Sequence, residues 1–261
     1  MANAQSITRY AEDISKLNFG NLNAASDLPK SLEIATLGNL SVYYAPFEYV
    51  NPKARMTIVG ITPGFTQTRN ALLEANRQLR SGASADAALI AAKQTGAFSG
   101  AMRNALIEML DYCGLNRWLG ISSATELFTS RRELLQTTSV LPFPVFVDGK
   151  DYNGTPSMIK NPFLKQFLVE GSRKTLVGGA SHVYVPLGPK VSEALNYLSQ
   201  QGLINASQIL DGMPHPSGAN AERIAYFLGR KPKAALSSKT NGDKIDQEKR
   251  ELLKKVAALR S

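Results

Sequence analysis

Three short apolar runs each deliver the chain into a loop built on glycine or proline, and this repeated handover constrains the fold more than any other feature. Met56-Thr-Ile-Val-Gly60 runs into Gly60-Ile-Thr-Pro-Gly64, His182-Val-Tyr-Val-Pro-Leu-Gly188 precedes a helical stretch at Ser192–Leu198, and Gln208-Ile-Leu-Asp211 leads into Pro214-His-Pro-Ser217. Runs this short and this uniformly apolar fit strands buried on both faces. A fourth strand-like run, Leu134–Leu141, is broken by Pro142 and Pro144, and a helix through Leu106–Leu110 stops at Gly114. The order predicts an α/β fold, a three-layer α/β/α sandwich around a mostly parallel central sheet of about four strands. Ligands of such sheets lie beyond the carboxyl ends of the strands, so the loops at 60–65 and 214–220 are expected on one rim.

Between the first loop and the Leu106 helix lies an Ala-rich stretch interrupted by Ser81-Gly82-Ala83-Ser84, which reads as a helical insertion over about residues 66–93. From Pro232 to Gly242 the composition turns polar and a charged helix, Asp243–Leu259, follows. The expected organisation is one α/β domain over 1–231 and a basic linker with an appended helix over 232–261. Hydrophobic residues make up 43% of the 261 residues, enough to bury a sizeable core. No apolar run is long enough to span a membrane and the N-terminus lacks the layout of a secretory signal, so an intracellular location is expected, cytoplasmic or, in a eukaryote, nuclear. The single Cys113 rules out an internal disulfide and cannot build a cluster or a four-cysteine zinc site. No metal and no organic cofactor are expected, and a monomer is.

The net charge is +9, and residues 230–261 hold ten basic residues against four acidic ones, so two thirds of the excess sits in the last eighth of the chain. A basic excess favours a polyanionic partner. The tail itself fits either nucleic-acid contact or a solvated surface.

Gly60-Ile-Thr-Pro-Gly64 lets backbone approach a ligand, with Pro63 stiffening the turn, and it is too short for a nucleotide-binding glycine loop. A plain strand-to-helix turn also accounts for it. His215 is one of two histidines and is bracketed by Pro214 and Pro216; the Ser217-Gly218 pair behind it offers backbone N–H groups to phosphate. His182 opens a strand and reads as structural.

The two loops, in this order and separation, resemble the two motifs of the uracil-DNA glycosylase superfamily. Gly60-Ile-Thr-Pro-Gly64 is similar to Gly-x-Asn-Pro-Gly of the mismatch-specific and single-strand-selective branches, and His215-Pro-Ser-Gly-Ala-Asn220 to His-Pro-Ser-x-x-Asn. Tyr44-Ala-Pro-Phe-Glu-Tyr49 resembles the Asn-Pro-x-Glu-Tyr lead-in of the latter branch, and Gln94-Thr-Gly-Ala-Phe-Ser-Gly100 its Gln-Thr-Gly stretch. Thr138-Ser-Val-Leu-Pro142 takes the place of the base-reading strand; the whole resemblance covers about residues 40–230. It implies that His215 stabilises charge on a leaving base, with Thr62 beside the attacking water. It implies a base pocket of Gly60, Ile61, Pro63, Gly64, Phe65, Phe98 and Ser139, in which Phe98 stacks on the base. Phosphate contacts would come from Ser217, Gly218, Asn220 and Lys190. Phe98 and Phe65 also have a plain reading as core aromatics.

Two departures shape the expected activity. Thr62 stands where the named branches carry Asn or Asp, and a hydroxyl can orient water but not take its proton. Ser139, or Thr138 in a register shifted by one, replaces the amide that reads the uracil edge. The expected enzyme is therefore a DNA N-glycosylase for a modified or non-standard pyrimidine, such as a hypermodified base of viral DNA, with antiviral defence as its setting. An ordinary uracil-DNA glycosylase, a non-catalytic DNA-binding descendant of the fold and a hydrolase of small nucleosides are the alternatives.

Overall fold

The computed structural model describes residues 7–95, 100–176, 178–179 and 181–259. The strands are β1 (Glu33–Leu37), β2 (Leu40–Tyr43), β3 (Met56–Gly60), β4 (Leu135–Ser139), β5 (Val145–Val147), β6 (Lys150–Asp151) and β7 (Val183–Pro186). The helices are α1 (Ile7–Ser15), α2 (Phe65–Arg80), α3 (Ala85–Thr95), α4 (Gly100–Cys113), α5 (Leu115–Leu119), α6 (Pro162–Thr175), α7 (Pro189–Gln200), α8 (Ala221–Phe227) and α9 (Gly242–Ala257). The protein is α/β. It divides into two compact, interleaved units: Met1–Val50, Ile61–Ala97 and Thr138–Leu176 form the first, and Asn51–Gly60, Phe98–Thr137 and Val177–Ser261 the second.

The first unit holds a four-stranded sheet in the order β1-β2-β5-β6, antiparallel at every pairing. The expected mostly parallel sheet does not extend to it. Two-residue turns explain why: Leu37 and Leu40 flank Gly38-Asn39, and Val147 and Lys150 flank Asp148-Gly149, with Asp148 (φ 50°) and Gly149 (φ 70°) both left-handed. A tight turn with two positive φ values folds a strand back antiparallel. The expected insertion is a helical hairpin, α2 and α3, broken at Ser81–Ser84. The buried Asn76 amide of α2 donates to the last carbonyls of α1, Ile14 O at 2.7 Å and Ser15 O at 3.1 Å. Tyr10 of α1 stacks on Tyr44 at 4.0 Å between centroids.

The second unit holds the sheet β4-β3-β7, with β3 parallel to β7 in the register Met56↔Val183 to Val59↔Pro186. Met56 and Ile58 of β3, Val183 and Val185 of β7, and Leu106, Met109 and Leu110 of α4 form its core. The third expected strand, Gln208–Asp211, is corrected to a single parallel bridge, Tyr184↔Ile209, closed by Leu210 N–H donating to Tyr184 O at 2.8 Å. The ladder ends because Gly212 turns the backbone to φ 114° and Pro214 has no N–H to give.

The C-terminal helix is not an appendage. Ile245, Leu252 and Val256 of α9 lie in the core of the second unit, at a spacing that puts them on one helical face. A Cβ on Gly212 would come within 2.6 Å of Glu248 O, so the bare backbone there admits the helix. Much of the tail's charge is spent internally. Lys255 reaches Asp211 Oδ1 (2.6 Å) and Ile209 O (3.0 Å), Lys233 pairs with Asp243 and Asp246, and Arg230 pairs with Glu108. The linker is organised by Glu222 of α8, whose carboxylate accepts from Lys231, Ser237 and Thr240. No helix among the described residues is long and apolar enough to cross a membrane.

Candidate functional site

In the second unit, parallel pairing puts the carboxyl ends of β3, β7 and the 208–211 run at one end of the sheet. Gly60, Gly188 and the His215 turn follow these ends directly. His215 is half-buried, and its Nδ1 accepts the Ser217 backbone N–H at 3.2 Å. Burial lowers its pKa from the ordinary histidine value. The ring is therefore neutral at pH 7, and with Nδ1 accepting, its proton resides on Nε2. Gly188, buried at φ 91° ahead of α7, sits against the imidazole: a Cβ there would lie 3.4 Å from His215 Cβ and 3.7 Å from Cδ2. Behind the histidine, Asn220 donates its amide to Ser217 Oγ (3.1 Å) and its N–H to Ser217 O (2.9 Å), and Arg223 holds Asn220 Oδ1 at 2.7 Å. Ser217 keeps its own O–H as a donor, and Gly218 is exposed. Lys190, exposed in the first turn of α7, has Glu193 at 4.0 Å, a contact worth little at a wet surface.

His182 is wired the opposite way. It is 3% exposed, its Nδ1 lies 2.9 Å from Ala54 O and its Nε2 lies 2.7 Å from Thr57 Oγ1. A carbonyl only accepts, so Nδ1 carries the proton and Nε2 accepts from the Thr57 hydroxyl. Burial lowers this pKa too. The ring is a satisfied brace between β3 and the start of β7. The two histidines should therefore appear at pH 7.5 as opposite neutral tautomers in long-range ¹H–¹⁵N spectra, Nδ1–H for His182 and Nε2–H for His215. Both should titrate below pH ~6.5. Because the unfolded state protonates first, they withdraw stability as pH falls below ~6.5 and cost none above it. Two rings of the same tautomer, or midpoints above 6.5, would contradict this geometry.

The first unit holds Ile61, Thr62, Pro63, Gly64, Phe65 and Ser139. Leu141 N–H donates to Ile61 O at 3.0 Å, and the Thr62 hydroxyl donates to Phe143 O at 2.8 Å while accepting Val145 N–H at 3.1 Å. Pro63 is buried beside them. Thr62 thus clamps the turn to the 141–145 segment, and its only proton is committed there. Gly64 caps α2, and the Phe65 N–H is taken by the Asp151 carboxylate at 2.8 Å, so this helix end is filled by the protein itself. Phe65 is half-buried. At the end of β4, Ser139 is half-buried, whereas Thr138 is sealed with its Oγ1 unpartnered. Phe98 lies outside the described residues. Thr62→Val should cost ~1–3 kcal/mol of stability by stranding the Phe143 carbonyl and Val145 N–H, while Thr62→Ser stays within ~1 kcal/mol of wild type. Denaturant midpoints read both, and an unperturbed Val variant would remove the clamp.

Over 233 residues, 88% of this chain and 90% of its relative, the sequence is 34% identical to a protein of Bacillus subtilis (strain 168), "Uncharacterized protein YoxB". The chain belongs to the YoxB family. The YoxB match is longer than either unit, so the relationship takes in parts of both. No protein-family model and no solved structure matches the chain.

Two carboxylates of this YoxB-family chain stand at these places outside the set of expected site residues. Asp151 fills the start of α2, and the Asp148-Gly149 turn that positions its strand is the signal that could have found it. Glu48 lies inside the Tyr44–Tyr49 segment, but nothing local marks it as buried. Among the described residues no group of three or more His, Cys, Asp and Glu is placed to hold a metal ion.

Proposed function

We propose that this chain is a DNA N-glycosylase that extrudes and hydrolytically removes a modified or non-standard pyrimidine, leaving an abasic site. The observation that carries the reading is the state of His215, a neutral ring with Nδ1 pinned by the Ser217 N–H and an Nε2–H donor held on a proline-braced turn beyond the parallel strands. In the proposed reaction the C1′–N1 bond breaks with its electron pair passing to the base and delocalising onto O2. Water adds to the oxocarbenium-like C1′, and the proton it loses neutralises the departing base anion. A fixed N–H donor toward O2 meets charge that exists only as the bond breaks, which is where a donor accelerates most. An imidazole held neutral does this without first carrying a charge into a partly desolvated site.

The charge of +9 supports a polyanionic substrate, and the Ser217 hydroxyl with Lys190 suits phosphate. Thr62 enters as a positioning residue, because its proton already serves Phe143 O. Ser139 offers one hydroxyl where an amide would read a base edge with two directed bonds. That favours a substrate distinguished by added groups, of the kind carried by viral DNA, which makes antiviral defence the setting. The committed Thr62 hydroxyl also favours a second reading, a non-catalytic DNA-binding protein. Incubation with genomic DNAs of differing modification, followed by mass spectrometry of released bases and an abasic-site cleavage assay, separates the two. Free modified pyrimidine with strand breaks at abasic sites supports the glycosylase; DNA retention with no base released from any DNA supports the second reading.

A further inference from the structure

Arg230, Lys231, Lys233 and Lys239 carry the positive charge of the segment between α8 and α9, and three of them are spent inside the protein. Arg230 pairs with Glu108 at 2.8 Å, Lys231 with Glu222 at 2.7 Å, and Lys233 with Asp243 and Asp246. Lys239 is exposed, and among the described residues its ammonium has no partner. Its backbone is nonetheless held from several sides. Ser237–Thr240 is a turn closed by the Thr240 N–H on Ser237 O at 3.0 Å, with Lys239 as its third residue. Glu222 clamps both ends: Oε1 accepts the Ser237 N–H at 3.1 Å, and Oε2 accepts the Ser237 hydroxyl at 2.6 Å and the Thr240 hydroxyl at 2.5 Å. Bonds from Lys231, Ser237 and Thr240 hold the Glu222 carboxyl well below the usual carboxylate range, so the clamp stays ionised through neutral pH. Arg223 then ties the turn to the candidate site. It donates to Lys239 O at 3.2 Å and to Asn220 Oδ1 at 2.7 Å; Asn220 donates to Ser217 Oγ, and the Ser217 N–H to His215 Nδ1.

We infer that Lys239 is a phosphate-binding residue beside the His215 turn, held by the Glu222 clamp and the Arg223 strut to take one backbone phosphate of a DNA strand. Surface loops are ordinarily mobile, whereas this turn is organised by five hydrogen bonds around a lysine whose ammonium bonds nothing in the protein. Because the turn is fixed before a strand arrives, its backbone gives up little further freedom on binding. A DNA backbone fits better than an acidic peptide. The Arg223 fork that would grip a carboxylate with two parallel bonds is already divided between Asn220 Oδ1 and Lys239 O. What remains is the Lys239 ammonium and, at the histidine, the Ser217 hydroxyl, whose oxygen accepts from Asn220 and whose proton is left to give. These are single-point donors of the kind that seat phosphates and set the register of a strand.

The contact rests on the proposed DNA reading of the His215 site, and its test is separable from base excision. The full-length protein is titrated into a short fluorescein-labelled DNA duplex at a series of salt concentrations, and log affinity is plotted against log salt. Lys239→Ala should flatten the slope by ~0.9, one phosphate on duplex DNA, and Lys239→Arg should restore it. Arg223→Lys keeps the charge but cannot bridge Asn220 Oδ1 and Lys239 O together. It should lose the same ~0.9, and the double variant no more than either single one. Lys254→Ala, which removes an ammonium paired with Glu251, should leave the slope unchanged. The Lys239 side chain bonds nothing in the protein, so its loss leaves the fold intact, and the Arg223 variant tests the strut independently. An unchanged slope in Lys239→Ala, or an equal fall in Lys254→Ala, overturns the inference. Wild-type protein that binds no DNA at low salt overturns it together with the DNA reading. Base release with an unchanged Lys239→Ala slope refutes this contact and leaves the glycosylase reading standing; the lost slope with no base released from any DNA does the reverse.

Discussion

His215→Ala is expected to lower base excision by about a hundredfold or more while leaving DNA affinity within a few fold. The imidazole Nε2–H has no partner among the described residues, and its other nitrogen serves only the Ser217 N–H. On the proposed glycosylase reading, its contribution is reserved for a group that arrives with substrate. Loss of one fixed donor to developing charge costs ~2.7–4 kcal/mol of barrier, hence the hundredfold, and little ground-state binding. The structural cost should be modest, because the half-buried ring fixes a turn also held by Asn220 and by two prolines. His215→Gln, which restores an amide N–H at similar reach, should recover part of the rate. Single-turnover excision of the base identified by mass spectrometry, alongside DNA binding at fixed salt, checks this. A folded alanine variant with a near-normal rate would remove His215 from the chemistry.

Truncation before α9 is expected to unfold the second unit rather than merely to weaken DNA binding. The helix inserts Ile245, Leu252 and Val256 into the core. At ~1.5–3 kcal/mol for each buried side chain, their loss approaches the ~5–15 kcal/mol that holds a whole domain together. The Tyr226 hydroxyl on Asp246 and the Lys255 ammonium on Asp211 and Ile209 O go with it. A chain ending at residue 240 should lose dispersed amide signals from β3, α4 and β7, and Leu252→Ala in the full chain should cost ~2–5 kcal/mol. Native-like melting after truncation would return the helix to the status of an appendage. For the same reason the tail's role toward DNA must be probed by charge rather than by deletion. Neutralising the exposed Lys239, Lys244, Arg250 and Lys254 leaves the apolar face intact. Every one of these side chains that neutralises a phosphate should, on removal, flatten the log–log salt slope by ~0.9.

The position of both loops was legible because it rests on local pattern: an apolar run, then glycine or proline, then a helical period. The helical hairpin of α2 and α3 and the stop of α4 before Gly114 were legible for the same reason. The antiparallel sheet is absent from the expected parallel fold: Val147-Asp-Gly-Lys150 is a two-residue hairpin signal, but the strands that flank it are too short to announce themselves by alternation. Gln208–Asp211 read as a strand from composition, and its length in the ladder was then limited by Gly212 and Pro214.

By itself the sequence determined the turns that follow Gly60, Gly188 and Asp211, the helical character of α2, α3, α4, α7 and α9, and that His215 stands between two prolines after an apolar run. Only the tertiary structure decided what those groups are chemically. The Thr62 hydroxyl is consumed by a carbonyl 81 residues away, and Glu48 Oε1 by an amide 41 residues away while its Oε2 is left without a donor. The lowered pKa of each histidine follows from what buries it, and the core role of α9 from a backbone approach at Gly212. Caps, turns and periodicity are set by neighbours along the chain, so they are written in order. Hydrogen-bond satisfaction and desolvation are set by whichever distant segment covers the group, and a linear pattern does not carry that information.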